Sequence, residues 1–530
     1  MTDARTFSAG QIIEADICIV GAGAAGITLA REFIKTDIRV ILLESGGTKF
    51  SHPTQFLYRG EIAGRNFTPL DFTRRRQFGG STATWSGRCR PLERSDFEVR
   101  EWIPHSGWPF SLSDLLPYYK RANELLELGD YQYDSAFWDA QEKYHGLGGA
   151  KHIETKIFHF SPPTRFGERY RRELELAQNI HVVLNANALH IQLQQDGSLV
   201  NSIRCATLRN KPFNVKAKLF VLGLGGLETA RLMLVSKDIH SYGVGNQHDV
   251  LGRYFMDHVD FFDGVVLNAP GNLPASFFKL NYSIPMKNLG MVRAIGITDE
   301  YRQKHKLLNA CAFFVKRPAY KIDDRFFSSA MQDFIQISET LRHATAPSLK
   351  VVGSLWRSIF HGRSLIPMIW QMLARKAGPY YFGVQIQLEC IPNSESRVTL
   401  SEQKDALGMN RIKLNWQLTQ QDLESYHHFR EVIFSELQYL GFEIRKINHD
   451  LDSEGWPVSI VPAKHHSGTT RMSEDPQQGV VDENCKVHGV SNLFIAGSSV
   501  FPTSGMANPT LTIVALAVRL ADHIKRSVLA

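Results

Sequence analysis

Two hydrophobic rhythms divide this chain. Apolar runs at 16–20, 39–43, 180–184 and 218–222 are short and nearly unbroken, as strands covered on both faces are, and 188–194 also reads as a strand. Helical spacing falls between them, from Ile27 to about Lys35 and again in the stretch that Gly223–Arg231 opens. From about residue 265 the pattern changes to alternation. Val384–Leu388, Arg397–Leu400 and Arg411–Trp416 read as antiparallel strands of a second domain, followed by an amphipathic helix over His427–Leu440. Near Lys464 the chain returns to the first domain. There Asn492–Ser498 is an apolar strand breaking into small residues, and Leu511–Ile524 is apolar at helical spacing. The last helix is expected to begin at Pro509, where a missing N–H is tolerated. The pattern predicts an α/β fold (α+β overall), with a Rossmann-like domain and a discontinuous second domain on an antiparallel sheet.

Glycine placement gives the first strand–helix unit its chemistry. Gly21-Ala22-Gly23-Ala24-Ala25-Gly26 follows the 16–20 strand directly, and Glu44 lies 18 positions beyond Gly26 at the end of the next strand. In that context a GxGxxG turn reads as a dinucleotide site: the glycines admit a pyrophosphate and the acid accepts from a ribose 2′-OH. A glycine-rich turn of another α/β protein is the plain alternative. An acid at this position disfavours a 2′-phosphate, and so NADP. A second loop, Phe78-Gly79-Gly80-Ser81-Thr82-Ala83-Thr84-Trp85-Ser86-Gly87, can donate backbone N–H groups to a ring or phosphate. The preceding Arg74-Arg75-Arg76 suits a phosphate clamp or an exposed surface loop equally. The N-terminus of the last helix also suits a phosphate or an electron-rich ring edge.

Composition narrows the field. At 530 residues, with 43% hydrophobic and 21% charged residues, the chain has an ordinary globular make-up and enough length for two large lobes. The net charge of +7 is not arranged as a basic block interleaved with aromatics, so no nucleic acid is expected. Six well-separated cysteines form no CxxC or Cys/His cluster, which argues against haem, iron–sulfur or zinc and suits a reducing compartment. With no signal-peptide pattern and no apolar run of membrane-spanning length, a cytoplasmic protein is expected. Residues 342–376 carry six basic residues and no acid, with apolar positions at helical spacing. They read as a pair of helices packed on the second domain, or as a mobile basic insertion or lid touching a membrane surface or partner.

Four stretches in order, GAGAAG, FGGSTATWSG, GLGGLETARL and HHSGTTRM…NPTLT, resemble the glucose–methanol–choline (GMC) family of FAD oxidoreductases. The C-terminal motifs look most like the pyranose oxidase, fructose dehydrogenase and gluconate dehydrogenase branches. The resemblance implies FAD, with Gly21, Gly23, Gly26 and Glu44 at its ADP half and Ala188 at the adenine. It places Gly80, Ser81, Thr82 and Trp85 beside the isoalloxazine and Gly225 at the cofactor. Gly497 and Ser498 fall at the pyrophosphate and ribitol, with Asn508, Pro509 and Thr510 at the pyrimidine edge. The catalytic histidine falls on His465 and the second catalytic position on Asn508, while the adjacent His466 is expected to pack structurally. Read without gaps, the position that attaches flavin covalently in the pyranose oxidase branch is Ala83, so the FAD is expected to be non-covalent. The implied domains are 1–103, 180–264 and 464–530 for FAD, and 104–179 and 265–463 for substrate. The implied reaction is oxidation of a C–OH group of a sugar, glycoside, polyol or other alcohol by hydride transfer to flavin N5. The electron acceptor (O₂, a quinone or a partner protein) stays open. So does a non-redox role, since the fold also hosts a lyase and a photodecarboxylase.

Overall fold

A computed structural model describes residues 1–162, 164–271, 273–278, 282–284, 289–318 and 380–527. The basic segment 342–376 lies outside the described residues. The runs at 16–20, 39–43, 180–184 and 218–222 do form a parallel sheet, whereas 188–194 pairs antiparallel. Gln11–Val20 lies between Val40–Leu43 and Pro212–Leu222, with Ile180–Leu184 beyond Val40–Leu43 and Leu493–Ile495 beside the end of Pro212–Leu222. The antiparallel pair Asn187–Leu193 and Val200–Ala206 attaches to the other half of Pro212–Leu222. Helices Ala24–Glu32, Gly225–Val235 and Thr510–Ser527 supply the helical layers.

Several boundaries differ from those expected. The first helix begins at Ala24 and is over before Lys35, which stands at φ +68°. The last begins at Thr510; Pro509 sits just before it and accepts from the Ile513 N–H at 2.8 Å. The helix expected from His427 runs Gln420–Tyr439, because Thr419 and Asp422 form a reciprocal capping box seven residues earlier.

The second sheet has nine strands. Its main path is Glu443–Lys446, Val259–Asn268, Tyr380–Leu388, Ala310–Pro318, Leu289–Ile297, Ile153–Phe160 and Arg88–Cys89. Val384–Leu388 belongs here, as expected. Arg397–Lys404 and Asn410–Trp416 do not: they pair with each other, and Asn410–Trp416 pairs in parallel with Glu61–Gly64 in a separate three-stranded sheet. Alternation identifies a half-buried strand but carries no information about its partner. Val259–Asn268 crosses the expected boundary at 264, and Arg88–Cys89 reaches into this sheet from the expected FAD segment.

Just past the end of Tyr380–Leu388, charge is buried. Arg100 holds Glu389 through two hydrogen bonds of 2.8 and 2.6 Å, and neither side chain is more than 3% exposed. Glu389 also accepts from the backbone N–H groups of Asn309 and Gly505. Removing one member of such a pair leaves an uncompensated charge. Arg100→Leu should therefore lower unfolding stability by about 3–5 kcal/mol, with part restored in Arg100→Leu/Glu389→Gln. Urea unfolding followed by tryptophan fluorescence measures this; equal loss in the single and double variants would contradict it.

Candidate active site

The two glycine loops meet as one cradle. At Gly21 (φ +105°) a Cβ would lie 2.6 Å from the Gly223 carbonyl oxygen, and at Gly26 it would lie 1.9 Å from that of Gly21. The turn can cross between strands only without side chains. Positions 23, 225 and 497 differ: a Cβ on Gly23, Gly225 or Gly497 would meet open space. The Gly80 loop docks onto this turn, with Gly79 N–H donating to Ala22 O at 2.8 Å and Gly80 pressed against Gly23. Glu44, 5% exposed, accepts from Gly46 N at 2.7 Å and Ala22 N at 3.2 Å. A small cavity beside it is lined by Gly21, Ser45, Arg76, Ala188, Leu224 and Glu228.

Other expected contacts are already spent inside the protein. Thr82 Oγ1 donates to Gly79 O, and Trp85 Nε1 donates to Thr164 O. Ser81 Oγ accepts from Arg75 N, and Ser498 Oγ donates to His466 O. These bonds orient the four side chains, while Ser81 Oγ, an acceptor here, keeps its hydrogen to donate. The arginine run is no surface loop: Arg74 and Arg76 are each 9% exposed and both reach Glu228. Arg74 Nε and Nη1 and Arg76 Nε are buried without a partner among the described residues. Open glycine positions, a buried carboxylate after the second strand and unspent guanidinium donors fit an adenine dinucleotide such as FAD.

A second set of residues gathers where the chain returns. Met256 and Ser467 exchange backbone hydrogen bonds of 3.0 Å, so 256–258 runs antiparallel to 465–467. Between them the Asp257 carboxylate accepts from Lys464 N at 3.0 Å and His465 N at 2.6 Å. His465 Nδ1 is then 2.8 Å from His258 Nδ1, and His258 Nε2 is 2.7 Å from Gly505 O. On its other side His465 Nε2 is 3.1 Å from Asn508 Nδ2. Arg88 Nε donates to Asn508 Oδ1 at 3.1 Å and its Nη2 to Gln387 Oε1 at 2.7 Å; Gln387 Nε2 donates to Met506 O at 2.7 Å. His466 points elsewhere, into Phe67 and Phe255 at 5.9 and 5.7 Å between ring centres.

Burial sets the charge state of this corner. It drives His465 well below the ordinary histidine value, helped by the charges of His258 and Arg88, and pushes His258 down to about 4. Burial also pushes Asp257 up to about 8, against the two N–H groups it accepts from. Both imidazoles are therefore neutral near pH 7.

Residues 392–517 match the GMC oxidoreductase profile. Over 96% of this chain and 92% of its own length, 6'''-hydroxyparomomycin C oxidase of Streptomyces lividus is 21% identical. The fructose dehydrogenase large subunit of Gluconobacter japonicus is 22% identical over 97% of this chain and 98% of its own. Among solved structures, formate oxidase of Aspergillus oryzae RIB40 superposes with a TM-score of 0.57 at 16% identity, covering 99% of this chain and 100% of that one. Sheet order, cradle and matched sequence thus define a flavoprotein of the α/β class. Residues 392–517 carry the GMC oxidoreductase pattern, and FAD is the cofactor that this match and the cradle support.

The sequence brought out His465 and Asn508 but passed over Arg88, Asp257, His258 and Gln387. Adjacent Asp257 and His258 just ahead of an apolar strand were a usable signal, being two titratable residues entering a core. Arg88 and Gln387 offered none, since only strand pairing places them.

The return turn depends on Gly468, which has φ +83° and whose Cβ would lie 2.1 Å from Tyr254 O. Gly468→Ala should cost about 3 kcal/mol or more, from strain plus collision. Gly10→Ala, at φ +78° but with nothing within 4 Å, should cost about 1 kcal/mol. Denaturant midpoints compare the two, and equal losses would argue against a packed return turn.

Proposed function

We propose that this protein is an FAD-dependent oxidoreductase that oxidises a C–OH group of a sugar, glycoside, polyol or other alcohol to a carbonyl. In this reading His465 is the base and Asn508 holds the hydroxyl. The observation that carries it is the neutral His465 Nε2 beside Asn508 Nδ2 at 3.1 Å, with Arg88 holding the far side of the amide. Two full-length relatives, one named a 6'''-hydroxyparomomycin C oxidase and one a fructose dehydrogenase, support a carbohydrate or polyol substrate.

Bound FAD supplies the hydride acceptor. What the chain adds is proton handling and position. An alcohol is too weak an acid to ionise unaided near neutral pH. A substrate oxygen seated between His465 and Asn508 would give its proton to Nε2 while accepting from the Asn508 N–H. Arg88, donating to Asn508 Oδ1, keeps that amide turned with its N–H toward the substrate. Its guanidinium also favours the alkoxide character that develops as the proton leaves.

His465→Ala should lower the rate of flavin reduction by substrate about 10²–10⁴-fold with FAD retained, and Asn508→Ala about 10–10³-fold. Because burial lowers the His465 pKa, the wild-type rate should hold as pH falls and fail only below the ordinary histidine value of 6.5. Anaerobic stopped-flow across pH, over a panel of sugars, glycosides and alcohols, measures all of this. A His465→Ala enzyme at full rate would sink the assignment, and absence of bleaching by any alcohol would favour a non-redox role. Mixing the reduced enzyme with O₂ then separates oxidase from dehydrogenase.

The FAD is held without a covalent bond in this reading, since Ala83 offers no nucleophile and the loop around it is fixed by Thr82 and Trp85. Trichloroacetic acid should release all of the yellow colour into the supernatant. A coloured pellet is the contrary result.

A further inference from the structure

We propose that His258 is a positioning residue that fixes the tautomer of His465, so that the nitrogen offered to substrate is always Nε2. The inference rests on His465 being the base and adds what makes it one.

The argument starts at a group that can only accept. Gly505 O is 2.7 Å from His258 Nε2, so Nε2 carries a hydrogen. A neutral imidazole has one hydrogen, so His258 Nδ1 is bare. At 2.8 Å from it, His465 Nδ1 must then be the donor. His465 is neutral too, which leaves its Nε2 bare and facing Asn508 Nδ2.

The other end gives the same direction independently. Arg88 can only donate, so Asn508 must present Oδ1 to it and turn its N–H groups toward His465. Gln387, pinned between Arg88 and the Met506 carbonyl, fixes the guanidinium in turn. Every donor from Arg88 to Gly505 therefore points the same way, and the bare Nε2 of His465 is the one position a substrate hydroxyl can enter.

The pairing has a second effect. When Nε2 takes the hydroxyl proton, His465 becomes an imidazolium whose Nδ1–H still has a neutral acceptor waiting. A carboxylate in place of His258 would orient the ring as well, but would add a charge to a buried corner. An imidazole orients it with no net charge. His258 is itself 1% exposed, so its orientation does not fluctuate with solvent.

The test reads the tautomer directly. Long-range ¹⁵N–¹H correlation on holoenzyme labelled at histidine, with His465 assigned by its disappearance in His465→Gln, should report His465 bare at Nε2 and protonated at Nδ1. His258→Leu removes the acceptor. It should shift His465 toward the other tautomer and lower the rate of flavin reduction about 10–10²-fold, with the flavin spectrum and substrate Kd unchanged. His258→Asn, whose Oδ1 takes the place of Nδ1, should restore both to near wild type. A wild-type His465 protonated at Nε2 would overturn the proposal. So would a folded His258→Leu enzyme reducing at full rate, or a His258→Asn no better than His258→Leu. The wild-type spectrum stands whatever the fate of His465→Ala, so the tautomer and the base assignment fail separately.

Discussion

The Asp257 carboxylate is the constraint on which the active corner rests. One oxygen takes the Lys464 N–H and the other the His465 N–H, from a segment more than two hundred residues away. The Met256–Ser467 bridge beside it sets the register, so that His258 and His465 meet ring to ring. Two backbone donors inside a buried site need an acceptor, and a side chain supplies it where no strand could. The entry of the second sheet and the return of the chain are thereby joined at one point, beside the paired rings of His258 and His465.

How much of this was legible in the sequence follows from how each part is specified. The cradle is local: Gly21, Gly26 and Glu44 announce themselves by spacing and context, because the constraint acts within one strand–turn–helix unit. His465 and Asn508 were also within reach, since each sits in a short motif. Arg88 was not, because it meets Asn508 across 420 positions of chain through the edge of a nine-stranded sheet. The strands at 397–404 and 410–416 repeat the lesson. Their alternation marks them as antiparallel strands, which they are to each other, but does not reveal the separate sheet with Glu61–Gly64, because that pairing is a long-range choice.

The arginine run teaches something narrower. Arg74 and Arg76 are consecutive in pattern with Arg75, yet the outer two are buried on Glu228 while Arg75 is only half-buried and packs over Phe50. A charge run in an irregular loop can be split, with two side chains turned in and one left nearer solvent. Composition alone sees three equal cations.

The loop at Gly505 and Met506 carries more than its length suggests. The carbonyl of Gly505 ends the histidine chain, that of Met506 ends the Gln387 branch, and the Gly505 N–H rests on Glu389. A Cβ at Gly505 would lie 2.6 Å from the Asp96 carboxylate, so the loop has no room to shift toward that side. It acts as a mechanical ground: the aim of the imidazole is referenced to the buried Arg100–Glu389 pair rather than to solvent. A substitution at Arg100, Glu389 or Asp96 would therefore be felt through Gly505 as a change in the aim of the two imidazoles.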